Sequence, residues 1–568
     1  MKQALEGALQ QAVESLLTDH PHAAHIRVQL TRTKTREHGD YACNVAMPLA
    51  GLLQQKPHEV ASRILATVKW PAAVAGAEIA GPGFINIRLH EASEADAIKN
   101  ILRLGENYGK AAHAAAAGRI CLEFVSANPT GPMHVGHGRG AVVGDSLARL
   151  LAAVGHDVHR EYYINDAGAQ IGVLAESVWL RIRELQGEAV EFPDSAYPGD
   201  YVIDIARDIL ARHSYAELAA MGDEARRELV GSESVAANMA TIKGDLAALG
   251  IGFDQFFSER ELHASGRVGE LIERLKQQGV IYTGTLPPPK GKEVEDYSPV
   301  EQLLFRTTEF GDDVDRPVGK QDGTPTYFAA DIAYHFDKHQ RGFARMIDVW
   351  GADHGGYVAR VQAAMKALTG RDKQPDVLLV QMVNLTRNGK PVRMSKRAGT
   401  FVTLREVTDE VGSDAVRFNF MTRRVESQLD FDLEVAKQKN DENPVYYVQY
   451  AHARVSAILR KAAEEGVVLA DPESVDLSCL TAEEERLLIA NLLGYPEMLS
   501  KAAEWLEPYR VATYIMKLAA DLHGFYHKHR VITDDAGLTQ ARLLLVRAVG
   551  QVIRNALGIL GVSAPERM

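Results

Sequence analysis

Cysteine is scarce in this chain: 568 residues hold three, Cys43, Cys121 and Cys479, with no paired spacing. A disulfide framework and a cysteine zinc site are both excluded as readings. No apolar stretch follows a basic start, and no run approaches membrane-spanning length, so neither a leader nor a spanning helix is expected. A basic excess is missing as well. With 63 Lys and Arg against 75 Asp and Glu, formal charge −12, bulk adhesion to nucleic acid is disfavoured, while a local basic surface stays compatible. No internal repeat or low-complexity tract stands out. What is present is 46% apolar and 24% charged, an ordinary soluble composition, on a chain too long for one core. Three or four domains and a cytoplasmic location are expected.

Four regions follow from the patterning. Residues 1 to about 110 mix helical periodicity with short strand-like runs, ending in "AGPGFINIRL" and a charged helix. From Arg119, "RICLEFVSA" reads as a buried strand, "AVVGDSLARLLAAVGHDV" as a helix with a glycine stop, and "VHREYYI" as the next strand. That order is the first half of an open parallel α/β sheet. Residues from 165 to about 300 are mostly helical, with a proline-rich break at "TLPPPKGKEVEDYSP", and read as an insertion in the sheet. "RMIDVWGADH", "VARVQAAMKALTG" and "LLVQMVNL" supply a second strand–helix–strand unit. From about Asn440 the chain is nearly all helical.

Two segments carry chemistry. "ANPTGPMHVGHGRGAVVGD" (127–145) places His134 and His137 three apart among Gly131, Gly136, Gly138 and Gly140, where a strand feeds a helix. Ligands collect at such strand ends. A helix N-terminus with open N–H groups favours phosphate, glycine lets a ligand approach the backbone, and imidazoles can donate to phosphate oxygens. A metal site lacks an obvious third ligand and the zinc-protease glutamate spacing; a loop with two incidental histidines is the remaining reading. The second segment, "RNGKPVRMSKRAGT" (387–400), is a glycine-rich basic loop. Alone it suits a solvated loop; beside His-Val-Gly-His on one sheet, Lys396 and Arg393 suit a loop closing on a triphosphate and stabilising charge at its α-phosphorus.

Together the two segments resemble the His-Ile-Gly-His and Lys-Met-Ser-Lys-Ser signatures of class I aminoacyl-tRNA synthetases. The surrounding residues resemble the arginyl-tRNA synthetase family, bacterial type, along the whole chain: "GDYACNVAMPLA", "AGPGFINI", "EFVSANPTGPMHVGH", "YYINDAGAQI", "FRTTEFGDD", "GTPTYFAADIAYH", "NPVYYVQYAHAR" and "APERM". One departure is informative: Arg393 stands where the second signature has its first lysine, Lys396 keeps the second, and Gly131 occupies the place where some members carry a compensating lysine. The resemblance implies a multidomain α/β protein. An N-terminal tRNA-elbow domain would span 1–110, a Rossmann-like catalytic domain 111–435 (insertion about 170–300), and a helical anticodon-binding domain 436–568.

It implies a ligase that activates L-arginine with ATP, as its Mg2+ complex, and transfers it to tRNA(Arg), with tRNA required for activation. No structural metal, no membrane partner and a monomer are expected. His134, His137, Arg393, Ser395 and Lys396 would serve catalysis; Gly136, Asp353, His354 and Met394 would meet ATP. Asn128 and His134 would hold the amino and carboxylate end of arginine, Asp331 and Tyr327 its guanidinium, with Glu123 shaping the pocket. A guanidinium is a planar fork best held by carboxylates, and Tyr327 and Asp331, four apart on an expected helix, share a face. The same pair also fits an exposed acid and a core aromatic. Tyr447, Tyr450, Tyr526 and Met568 would meet the anticodon, and Phe84 and Asn86 the elbow; aromatics among cations suit unstacked bases. A nucleotidyltransferase with a His-x-Gly-His loop and a non-catalytic tRNA-binding paralogue are the alternatives. The first leaves the outer domains unexplained, and the second would be expected to have lost signature residues.

Overall fold

The computed structural model describes residues 2–17, 26–33, 38–89, 91–111, 118–286, 300–392 and 402–568. The chain forms two compact units, one of residues 1–106, 458–494 and 521–551, the other of 107–457, 495–520 and 552–568.

In the first unit, β1 (Leu30–Arg32), β2 (Tyr41–Cys43), β3 (Val74–Ala80) and β4 (Phe84–Leu89) form an antiparallel sheet in the order β1-β2-β4-β3. Alternation along β4 buries Ile85, Ile87 and Leu89 against Leu5, Leu9 and Val13 of the helix Lys2–Leu16.

The second unit is built on a five-stranded parallel sheet. Its strands are β5 (Arg119–Phe124), β6 (Asp157–Ile164) and β7 (Gln255–Ser258), then, after an antiparallel trio β8 (Ile281–Gly284), β9 (Gln302–Phe305) and β10 (Arg316–Gly319), β11 (Arg345–Gly351) and β12 (Asp376–Val380). The order β12-β11-β5-β6-β7 puts the first strand in the middle. The chain leaves β5 toward β6 and returns later at β11, so the switch point where ligands bind lies at the carboxyl end of β5. A last sheet, β14-β13-β15, joins β13 (Val383–Arg387), β14 (Lys390–Pro391) and β15 (Leu429–Asp432).

Three elements differ from the sequence reading. The stretch read as a helical insertion returns to the main sheet at β7, a four-residue strand too short to show a period. "LLVQMVNL" is two strands, since β12 ends at Val380 and β13 enters the other sheet. "RICLEFVSA" stops being a strand at Phe124. Val125 and Ser126 have φ of 71° and 41°, a left-handed pair that is costly for a β-branched residue. From about 440 the expected helices form: Pro444–Glu464, Glu483–Glu504, Tyr509–Lys528 and Ala536–Leu560. The last is long and apolar enough to span a membrane, contrary to the sequence reading, but its apolar window is 72% buried, as in a core helix.

Candidate functional site

The ground under the site is a row of acids. Asp348 on β11, Glu123 on β5 and Glu161 on β6 are in register across the three central strands, and all are buried. Like charges placed opposite one another repel. The helix Tyr327–Gln340, with Arg341 just beyond it, supplies the counter-charge. Lys338 Nζ donates to Glu123 Oε2 at 2.6 Å and to Asp348 Oδ1 at 3.0 Å, and Arg341 donates to both oxygens of Glu161 at 2.6 and 2.8 Å. His335 Nε2 lies 2.8 Å from Asp348 Oδ2. Burial alone would push the Lys338 ammonium down, but Asp348 and Glu123 outweigh it and hold it up. Burial likewise opposes ionisation of Asp348, and Lys338 and His335 reverse that. The triad Glu123, His335 and Asp348 is compact enough for a metal ion. The cation between its carboxylates here is Lys338.

A second pair of acids has no Lys or Arg bonded to it among the described residues, although His263 Nε2 lies 3.6 Å from Glu259 Oε1. Asp331, half-buried on the same helix, accepts from the Tyr357 hydroxyl. Its carboxyl is pushed up by burial more than Tyr357 and His335 pull it down. Glu259, buried at the end of β7, is raised by burial and by Asp331 itself. Tyr163 on β6 is close enough to both that its hydroxyl is raised by burial and by the two acids. Neighbouring acids whose ionisation burial opposes make a socket for a cation. Tyr327, expected to share this role, starts the helix with 61% of its surface exposed; the tyrosine on Asp331 is Tyr357. Glu123 is engaged by Lys338 and by Ser126 Oγ, which donates to it at 2.8 Å. The left-handed turn at Val125 and Ser126 brings that hydroxyl back over β5, where it also accepts from the Tyr163 N–H at 3.1 Å.

The histidines cap the helix Val135–Ala153. His134 is its N-cap: its Nδ1 accepts from the Gly136 N–H at 3.1 Å, and its own N–H donates to His137 Nδ1 at 3.4 Å. The rings stack with centroids 3.7 Å apart. With both Nδ1 atoms accepting, each neutral ring carries its proton on Nε2. Three of the crowded glycines also have a packing reason. A Cβ on Gly138 would lie 2.4 Å from Leu404 Cδ1, one on Gly136 3.0 Å from the His134 ring, and one on Gly131 3.0 Å from Tyr201; Gly140 has open space.

The second signature, with Arg393, Met394, Ser395 and Lys396, lies outside the described residues. Its flank does not: Thr403 forms an antiparallel bridge with His134, and the Leu404 N–H donates to Met133 O at 2.8 Å. Arg139, two residues past His137 and fully buried, donates to the carbonyls of Gln381 (2.9 Å), Ser427 (2.7 Å) and Arg424 (2.8 Å). Burial lowers its pKa to about 10. It fastens the signature helix to the segments preceding β13 and β15. Asp353 and His354 sit exposed after β11 in the short helix Ala352–Tyr357, and Asn128 is exposed after β5.

The remaining expected contacts scatter by unit. In the second, Tyr450 is exposed, stacked on Tyr446 and covered by Arg454, Tyr447 is half-buried and Met568 is exposed. In the first, Tyr526 and Phe84 are exposed, whereas Asn86 is buried and so offers a partner little surface.

Sequence reasoning missed Glu259, Tyr357, Lys338 and Arg139. Lys338 had a signal, because the 3.6 period through Tyr327 and Asp331 continues to His335 and Lys338. So did the acid row, with Glu123, Glu161 and Asp348 each inside a strand-like run.

Comparison with known proteins agrees with this architecture. Residues 1–89 match the arginyl tRNA synthetase N terminal domain, 97–226 the tRNA synthetases class I (R) catalytic domain, and 448–568 the DALR anticodon binding domain. An arginine–tRNA ligase of Magnetococcus marinus is 49% identical over 577 residues, covering 100% of both chains. An arginyl tRNA synthetase structure from Campylobacter jejuni superposes with TM-score 0.74 at 32% identity over 84% of this chain and 100% of its own. The arginyl-tRNA synthetase of Thermus thermophilus shares the fold, TM-score 0.76 at 23% identity, over 100% of both chains. With two class I signatures in the sequence and a full-length likeness of this order, the chain belongs to the arginine–tRNA ligase family.

Proposed function

We propose that the chain activates L-arginine with ATP and transfers the arginyl group to the 3′ end of tRNA(Arg). The observation that carries this is the acid pair Asp331 and Glu259, two carboxylates held at raised pKa beside Tyr163 and Tyr357. A guanidinium entering there offsets their negative charge and donates directional bonds to both. Asn128 and His134 hold the other end of the amino acid. A nucleotidyltransferase has no need of such a socket.

ATP enters as its Mg2+ complex, with Asp353 and His354 toward the ribose and the capped helix, through Gly136, toward the phosphates. The arginine carboxylate attacks the α-phosphorus, and pyrophosphate leaves. Nε2–H groups of His134 and His137 donate to oxygens that gain charge in that step, and Lys396 with Arg393 does the same from the second signature, Met394 and Ser395 lying between them. No covalent enzyme intermediate is needed.

The division into an elbow-binding part at 1–110, a catalytic part at 111–435 and an anticodon-binding part at 436–568 is carried into this reading. Phe84 serves the elbow, and Tyr447, Tyr450, Tyr526 and Met568 the anticodon. Dependence of activation on tRNA has a physical route inside the second unit. Buried Arg417 donates to Leu560 O at 2.8 Å, to Leu249 O at 2.8 Å and to Asp145 of the signature helix. Gln449 donates to Ser563 O at 3.0 Å, and His452 lies against Pro565 O at 2.8 Å. Strain at Tyr447, Tyr450 or Met568 therefore reaches the helix that His134 caps through a chain of direct contacts. The enzyme acts in the cytoplasm as a monomer. Arginine-dependent exchange of pyrophosphate into ATP, measured with and without tRNA(Arg), tests the reading; exchange driven by another amino acid in place of arginine refutes it.

A further inference from the structure

We infer that Asp166 is a positioning residue for the arginine socket: it holds both chain neighbours of Glu259 and so fixes where that carboxylate meets the guanidinium. This rests on the aminoacylation reading and deepens it, because it names what aims one of the two acids.

Glu259 stands at a joint. β6 and β7 stay in register until Ile164 pairs with Ser258, and Glu259 then opens a helix of only six residues, Glu259–Ala264. So short a helix has little stability of its own, and its first residue turns with the dihedrals on either side. Ser258 steadies it as the N-cap, its Oγ accepting from the Glu261 N–H at 3.2 Å.

Asp166 braces the joint from the neighbouring strand. Half-buried and just past the end of β6, it accepts from Ser258 Oγ with Oδ2 at 2.7 Å and from the Arg260 N–H with Oδ1 at 2.9 Å. The Arg260 guanidinium also donates to Asp166 O at 3.4 Å. One carboxylate thus spans residues 258 and 260, an oxygen on each, with Glu259 held between them. Cap and brace share the Ser258 hydroxyl, which donates to Asp166 and accepts from Glu261. The buried Glu259 side chain bonds to the Tyr163 hydroxyl and lies 3.6 Å from His263 Nε2. Neither contact sets the direction of its Cα–Cβ bond; Ser258 and Arg260 do. Both Asp166 oxygens are engaged by the protein's own donors, so Asp166 acts on arginine through Glu259. A planar guanidinium rewards a carboxylate held at a fixed angle, which is what such a brace supplies.

Arginine-dependent exchange of pyrophosphate into ATP, run on the full chain with tRNA(Arg), tests this. Asp166→Ala is expected to raise the Michaelis constant for arginine roughly tenfold, the scale of one loosened bond to a charged group. Its kcat and its Michaelis constant for ATP should stay within about twofold of wild type. Asp166→Asn should recover most of the arginine affinity, because its amide accepts from the Arg260 N–H and donates to Ser258 Oγ. Ser258→Ala, which keeps the Arg260 bond, should give a smaller rise, and it carries the test if Asp166→Ala does not fold. A double-mutant cycle decides: in a Glu259→Gln background, Asp166→Ala should add less than about twofold. A roughly tenfold effect that persists there overturns the proposal, as does a fall in kcat with the Michaelis constant for arginine unchanged. Failure of the underlying reading looks different, since wild-type protein would then show no arginine-dependent exchange at all.

Discussion

Replacing Asp331 by Asn should weaken arginine binding and strengthen the fold at once. The amide keeps the shape and still accepts from the Tyr357 hydroxyl, so the change removes charge alone. Truncating one partner of a buried ion pair costs about 3–5 kcal/mol. Asp331 is half-buried and Glu259 remains, so the low end applies, about 3 kcal/mol or roughly a hundredfold in affinity. Stability moves the other way. The Asp331 carboxyl holds its proton more tightly folded than unfolded, so folding carries a cost wherever the unfolded carboxyl would be ionised. That cost is relieved only as pH falls through the raised value, and Asn relieves it at every pH. Calorimetric titration with arginine and a thermal melt of the ligand-free protein read both effects. Weaker arginine binding with an unchanged or higher melting temperature is expected, with ATP affinity untouched. Normal arginine affinity would refute the socket; lower affinity with a lower melting temperature would mean that Asp331 is a structural acid.

The same electrostatics makes arginine binding release protons at pH values above the usual carboxylate range, because the guanidinium pulls down the raised values of Asp331 and Glu259; binding enthalpies that never vary with the ionisation enthalpy of the buffer as the pH is lowered contradict this. Lys338→Met should lower stability by about 3–5 kcal/mol, since Glu123 and Asp348 lose the cation between them, and a denaturant midpoint close to wild type would show the network to be dispensable. Lys396→Ala should cut the activation rate roughly a hundredfold, one lost transition-state contact of about 3 kcal/mol, with little change in the Michaelis constant for arginine; the reverse pattern would put Lys396 in amino-acid binding.

Much of this was legible in the residues. The strand–helix–strand order around His134 follows from apolar runs and glycine stops, and the helix Tyr327–Gln340 from its period. Asp331 and Tyr327 were legible as a pair four apart, but not the Tyr357 hydroxyl that Asp331 accepts from. Periodicity says which residues share a face, not which of them the neighbouring element covers, and the 3₁₀ turn after β11 delivers Tyr357 instead. Glu259 left no trace because β7 is four residues long and pairs with a strand some ninety positions earlier. Val125 has the composition of a strand and the dihedrals of a turn, and only the demand of Glu123 and Tyr163 for the Ser126 hydroxyl accounts for that. The glycines around His134 pointed to ligand approach by type; their neighbours Leu404, Tyr201 and the His134 ring give most of them a packing reason as well, which residue type does not reveal.

The central claim is that the Asp331–Glu259 socket selects arginine for a reaction that waits for tRNA. Pyrophosphate exchange into ATP measures it most directly, with arginine supplied alone, with tRNA(Arg), and with tRNA(Arg) whose terminal ribose has been oxidised so that it cannot accept. The account predicts exchange near background without tRNA and a sharp rise with either form, lost again when arginine is replaced by lysine or citrulline. Full exchange in tRNA-free protein would contradict the coupling, and equal exchange with citrulline would contradict the socket.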